Sequence, residues 1–287
     1  MRVLTSLGAE DERILLLSGD LGYRVLDPFR ERLPDRFINA GVAEQNMVGM
    51  AGGLAHAGFV PFVYSIAPFA VLRPYEFIRN VIVHHQWPVR IVGVGDGFDY
   101  QVDGPTHFGI DTVAAMRQLP GLTVIAPADA AQAATALTRT AGLPGPIYYH
   151  LGTEENALVP GLDGRFDLGR AQMVRAGSDV ALVASGPLAV EAVGAAGLLE
   201  ADGVSCSVHV VASLAPPPVD DLTAALSGMP LALTVESNYT TGALGSLVCE
   251  IVAEGGLACR VVRCGVDRRL PRDVGSLRLA NGVDHGV

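Results

Sequence analysis

Glu44, Phe69, Asp103 and His107 are the residues of this chain whose types and settings can do chemistry. Glu44 falls in the stretch RFINAGVAEQNMVGMAGGL, where a short strand-like run breaks at Gly41 and a helix with Met47, Met50, Ala51 and Leu54 on one face begins. A carboxylate in a first helical turn complements the helix dipole, worth about 0.3–1 kcal/mol, or else exchanges a proton with a bound group. Phe69, in FVYSIAPFAVLRPYEFIRN, offers a flat face. Offset stacking on a heterocycle adds about 0.5–1.5 kcal/mol beyond area burial, and a plain core aromatic is the alternative. Asp103 and His107 stand in the loop GDGFDYQVDGPTHFG. An acid and a histidine held by a Gly-Pro turn can hydrogen-bond hydroxyls and shuttle protons. Taken alone, they also read as a turn former and a loop histidine.

These residues need a scaffold, and the spacing of apolar runs describes one. Short runs recur at Ile14–Leu17, Phe59–Tyr64, Val89–Val94, Leu122–Ile125 and Ile147–Leu151, separated by helical spacing or Gly/Pro turns. A second series follows at Val180–Ala184, Cys206–Val211, Leu231–Val235 and Arg260–Val262. Such alternation is the pattern of α/β sheets built mainly from parallel strands. The reading is two α/β domains, residues 1–155 and 178–287, joined by a linker over 156–177 that is richer in Gly, Pro and charge. A chain of 287 residues, 49% hydrophobic and 17% charged, is long enough for two cores.

Charge and cysteines narrow the classes of partner. The net charge of -10, with no basic block interleaved with aromatics, argues against a nucleic-acid surface. No apolar run reaches the length of a membrane span and no signal-peptide pattern opens the chain, so the expectation is a cytoplasmic protein without a membrane segment. Cys206, Cys249, Cys259 and Cys264 form no CxxC pair and read as free thiols.

The wording of the segments goes further than their spacing. INAGVAEQNMVGMAGGLA resembles the central motif of the pyrimidine-binding domain of the transketolase family, and DGPTH resembles that family's donor-substrate loop. DVALVASG and TVESNYTTGALGSLVCE resemble its third domain, in which Gly242 and Gly245 make a tight entry to a helix and Glu236 is structural. The resemblance runs from about residue 10 to 280 and covers the last two of three family domains. It implies a thiamine-diphosphate-binding, pyrimidine-type parallel α/β domain followed by a smaller transketolase C-terminal α/β domain. Glu44 then matches the glutamate that shares a proton with N1′ of the cofactor's aminopyrimidine, which favours the imino tautomer that deprotonates the thiazolium C2. Phe69 matches the aromatic that stacks on the pyrimidine, with Ile66 and Leu72 lining the pocket where many relatives carry further aromatics. Asp103 and His107 match the residues that handle donor hydroxyls and protons. Arg73 and Arg79 read as structural ion-pair residues.

The departures are equally specific. Gly95 stands where full-length transketolases usually have a histidine, and His150 and Thr153, in YYHLGTEE, stand where they have arginines. His150 is thus assigned to the substrate, but as a weaker and pH-dependent substitute for arginine's bidentate fork, so the expectation is weak selectivity for phosphorylated sugars. The family holds Mg²⁺ and the diphosphate on a GDG motif followed by a spaced Asn. Gly95-Asp96-Gly97 is present, yet no Asn occurs from residue 98 to 155, so the cage cannot be completed from this segment. The resemblance therefore implies no metal ligand in this chain and a partner subunit, the N-terminal half of a transketolase, that carries GDG…N and holds Mg²⁺. Two copies of each subunit in an α2β2 assembly, dimerised through this chain, are implied, and the function is transfer of a two-carbon ketol unit from a ketose to an aldehyde. The rival readings are the beta subunit of a 2-oxo-acid dehydrogenase or decarboxylase, and a non-catalytic assembly subunit. The DGPTH loop and the AEQNM wording weigh against the first, and the intact Glu44 motif against the second.

Overall fold

The computed structural model describes residues 1–153 and 158–267. The start of the expected linker at 156–157 and the end of the expected second domain, 268–287, lie outside the described residues. Six strands follow one another in the first domain: β1 (Ile14–Ser18), β2 (Phe37–Asn39), β3 (Val60–Ile66), β4 (Arg90–Val94), β5 (Thr123–Ile125) and β6 (Ile147–Leu151). The remaining six are β7 (Gln172–Arg175), β8 (Val180–Ala184), β9 (Cys206–Val210), β10 (Ser213–Ala215), β11 (Leu231–Tyr239) and β12 (Arg260–Val266).

A seven-stranded sheet runs in the order β10-β5-β6-β4-β3-β1-β2, and a five-stranded sheet in the order β12-β11-β8-β9-β7. All pairings in the first are parallel except β10 with β5, and all in the second except β7 with β9. The parallel strands are continuous apolar runs because both of their faces are covered: Leu16 and Leu17, on opposite faces of β1, are both fully buried.

Two edge strands fall where the sequence reading has none. Gln172–Arg175 lies inside the stretch read as linker, so the second sheet begins before residue 178. It is a short, half-polar edge strand antiparallel to β9, which leaves no apolar run to detect. β10 belongs by chain order to the second domain but is hydrogen-bonded to the first sheet, with Ser213 opposite Ile125. The apolar core is continuous across this junction, since Met116, Leu119 and Leu122 share one cluster with Val211, Leu214, Leu222 and Leu244. Among the described residues, no helix is long and apolar enough to cross a membrane.

The helix Glu44–His56 sets the site. Gly41, at φ +72, turns the chain out of β2 in a conformation other residues rarely adopt. Met47, Val48, Ala51 and Ala55 then bury one face of the helix against the sheet. Gly52 allows the turn Ile78–Val83 to approach, for a Cβ there would meet Val81 Cγ1 at 2.6 Å.

Candidate functional site

Open parallel sheets bind ligands at the carboxyl ends of their strands where the strand order reverses. Here the chain passes from β1 outward to β2 and returns on the other side of β1 as β3, so the switch point lies between the ends of β1 and β3. Glu44 sits there. It opens its helix with no side-chain cap ahead of it, is 3% exposed, and lies between Gly19, just past β1, and Ser65, near the end of β3. The Ser65 hydroxyl donates to Glu44 Oε1 at 3.5 Å, and Arg73 Nη1 donates to Oε2 at 2.9 Å. Gly19 leaves room beside the carboxylate: a Cβ there would stand 3.6 Å from Oε1.

The end of β3 supplies the aromatic. The chain turns into the short helix Ala67–Val71, which buries Ala67, Pro68, Ala70 and Val71 and leaves Phe69 half-buried. Phe69 meets His107 edge-on, with ring centroids 4.9 Å apart, and carries the Arg73 guanidinium 4.1 Å from its centroid. Glu44, Arg73, Phe69 and His107 thus form one connected row. Ile66 is half-buried at the end of β3, and Leu72 is 43% exposed.

The loop that follows β4 carries Asp103 and His107. Its neck is closed by an antiparallel bridge between Gly97 and Gly109, where a Cβ on Gly109 would fall 2.0 Å from the Gly95 carbonyl oxygen. Asp103 is exposed at the end of one tight turn, and Gly104, at φ +87, reverses the chain into the next, Pro105–His107. His107 is half-buried, with Nδ1 2.9 Å from Thr106 Oγ1.

Sequence reasoning places His150 at the substrate; the structure places it in the seam between the domains, 2% exposed. Its Nε2 lies 2.6 Å from Asp96 Oδ1 and its Nδ1 2.9 Å from the Tyr148 hydroxyl, which in turn donates to Thr112. Both ring nitrogens are therefore engaged inside the protein. Asp96, from the GDG triplet, also accepts a hydrogen bond from Ser237 of the second domain and a long one, 3.5 Å, from Asn238. Thr153 does face the loop, donating its N–H to Asp99 at 2.8 Å. Asp99 is pushed above the usual carboxylate range by burial. This seam was missed, because its partners lie 54 and 141 residues from Asp96 and nothing local marks them.

Next to the seam, Glu236 is fully buried and accepts the N–H groups of Leu244 and Gly245 at 2.9 and 2.7 Å, which fastens β11 to the start of the helix Leu244–Glu254. Burial pushes its carboxyl up to about 7 against the pull of those two donors.

The fold defines a two-domain α/β protein whose first sheet reverses its strand order beside a buried glutamate and a half-buried aromatic. Residues 1–153 match the pyrimidine-binding domain of transketolase, and residues 169–276 match the transketolase C-terminal domain. A putative transketolase C-terminal section from Methanocaldococcus jannaschii is 32% identical, covering 92% of this chain and 84% of its own. A 6-deoxy-6-sulfo-D-fructose transketolase subunit from Clostridium sp. is 31% identical over 88% of this chain and 79% of its own. A solved split-gene transketolase, an inactive β4 tetramer, superposes with a TM-score of 0.88 at 34% identity and covers 99% of this chain and 91% of its own. The chain therefore belongs to the transketolase family of thiamine-diphosphate-dependent ketol transferases and corresponds to a subunit of a split transketolase.

Proposed function

We propose that this chain binds the aminopyrimidine of thiamine diphosphate in the Glu44 crevice and transfers ketol units only when joined by a partner subunit that holds the diphosphate and Mg²⁺. The observation that carries the proposal is the placement of Glu44: a carboxylate 3% exposed at the switch point, with the half-buried Phe69 joined to it through Arg73. The donor set fits the group. Glu44 accepts or shares a proton at a ring nitrogen, Phe69 offers a stacking face, and Gly19 leaves space beside Oε1 that any side chain would reduce. When bound, thiamine diphosphate supplies the carbanion chemistry that cleaves and forms the ketol's carbon–carbon bond.

The chain's own residues do the rest. Glu44 holds the proton that tunes the pyrimidine, and Asp103 and His107, on the loop clamped at Gly97 and Gly109, bind donor hydroxyls and move protons. Ile66 and Leu72 add aliphatic surface to the pyrimidine pocket. With His150 engaged in the seam, no arginine at that position grips a donor phosphate. The solved β4 tetramer of the split-gene relative supports self-association of this half, and the expected complete assembly is α2β2 in the cytoplasm. The test is reconstitution: this chain alone, and mixed with a transketolase N-terminal-half subunit, is assayed for ketol transfer with thiamine diphosphate and Mg²⁺. Activity in the mixture alone is expected; a rate from this chain without a partner refutes the division of labour.

A further inference from the structure

Arg73 touches both halves of the proposed pyrimidine site. Its Nη1 donates to Glu44 Oε2 at 2.9 Å, and its Cζ stands 4.1 Å from the centroid of Phe69. A guanidinium is planar, delocalised and rich in N–H donors. Laid on a phenyl ring with an N–H on a buried carboxylate, it offers the same two contacts that an aminopyrimidine would make in that crevice. A second flat group cannot stack on the phenyl face that Arg73 covers, so seating the pyrimidine on that face requires the guanidinium to move, and its hold on Oε2 moves with it. The arrangement also has a physical cause in the free subunit. A carboxylate 3% exposed is costly without a counter-charge, and Arg73, whose side chain is 48% exposed, supplies one from the rim. From the rim it can also leave, because half of the side chain is already in water.

We propose that Arg73 is an internal occupant of the pyrimidine site, seated on Phe69 and Glu44 in the unloaded subunit and displaced when the cofactor's pyrimidine enters. This rests on the functional reading given above and adds to it an exchange step: loading breaks one ion pair and one cation–aromatic contact before the new ones form. Removing the occupant then strengthens binding, whereas removing an ordinary cofactor contact weakens it.

The experiment is a calorimetric titration of thiamine diphosphate, with saturating Mg²⁺, into the reconstituted pair of subunits carrying wild-type chain, Arg73→Met or Arg73→Lys. Arg73→Met is expected to bind about tenfold tighter than wild type. Arg73→Lys, which keeps a point charge for Glu44 but loses the planar face on Phe69, is expected to fall about threefold tighter, between the two. In a Glu44→Gln background the gain from Arg73→Met should shrink below about threefold, because the ion pair it removes is already gone. Denaturant unfolding of each isolated chain checks that the variants fold, and Arg73→Lys carries the test alone if the methionine variant does not. Equal or weaker binding by the folded variants, with wild type binding normally, overturns the occupant and leaves the pyrimidine site standing. Absence of cofactor binding by wild type and variants alike overturns both.

Discussion

Replacing Glu44 by Gln separates the catalytic use of this residue from its structural one. The side chain keeps its size, so neither a cavity nor overpacking arises in the crevice bounded by Gly19 and Ser65. Two stabilising terms are lost. The pair with Arg73, half in water, is worth about 0.2–1 kcal/mol after solvent screening. The carboxylate in the first turn of Glu44–His56 is worth about 0.3–1 kcal/mol. Against them stands the desolvation cost of a charge that is 3% exposed, which the amide does not bear. The net change in unfolding free energy is expected to stay under about 2 kcal/mol, read by urea unfolding of the isolated chain. Catalysis loses far more, since an amide does not share a proton with a ring nitrogen as a carboxyl does. General acid–base contributions of about 10²–10⁴-fold set the expected fall in ketol transfer at a hundredfold or more in the reconstituted pair. Hydrogen–deuterium exchange at C2 of the bound cofactor, at saturating thiamine diphosphate and Mg²⁺, separates lost chemistry from weakened binding. Wild-type exchange in a correctly assembled variant removes Glu44 from the mechanism and restores the assembly-subunit reading.

The remaining expectations concern the seam, the loop neck and the donor. Asp96→Ala leaves His150 and Ser237 without their shared acceptor in a buried place, and is expected to destabilise the chain by about 3–5 kcal/mol in urea unfolding; a loss under about 1 kcal/mol refutes the clamp. Glu236, raised from 4.5 to about 7 by burial, keeps its proton in the folded state over a range where the unfolded chain has released it. Its contribution therefore makes stability fall as pH rises from about 4.5 to 7, and Glu236→Gln should flatten that slope when unfolding is measured across the window. Gly109→Ala places a Cβ 2.0 Å from the Gly95 carbonyl oxygen, so the loop neck must open; ketol transfer is expected to fall at least tenfold while circular dichroism still reports both sheets. A donor sugar and its phosphorylated form are expected to differ in kcat/KM by less than about a hundredfold, roughly 2.7 kcal/mol, and a larger preference would mean that another cation grips the phosphate.

The parts of the fold that were legible in the sequence are those whose signal is local. β1, β6 and β8 are buried apolar runs and stand where the runs are, and the break at Gly41 places Glu44 at a helix start from the residue types alone. β2, β7 and β10 have three or four residues each, too few to show a period, and the last two gain their partners from the sheet rather than from their own composition. Strand order was not legible either, although it is what puts the end of β3 beside Glu44. Arg73 was readable as an ion-pair residue, but not as the partner of Glu44, 29 positions away. His150 was read from its place in a family pattern, which carries no information on which way a side chain at a strand end turns. Asp96 and its neighbours draw it inward.

β10 gives the two domains a common mechanical fate. By lending three residues to the edge of the first sheet, the second domain seals a row of main-chain groups on β5 that would otherwise be open to any passing strand. A protease that nicked the connecting stretch would cut the chain without releasing either piece, because the sheet and the shared apolar core still join them. A gene truncated at the same point would express a first domain with an adhesive margin, prone to pair with copies of itself. Heating the intact chain should correspondingly melt both sheets in one step, with cooperativity that spans a boundary a sequence map draws as a divide.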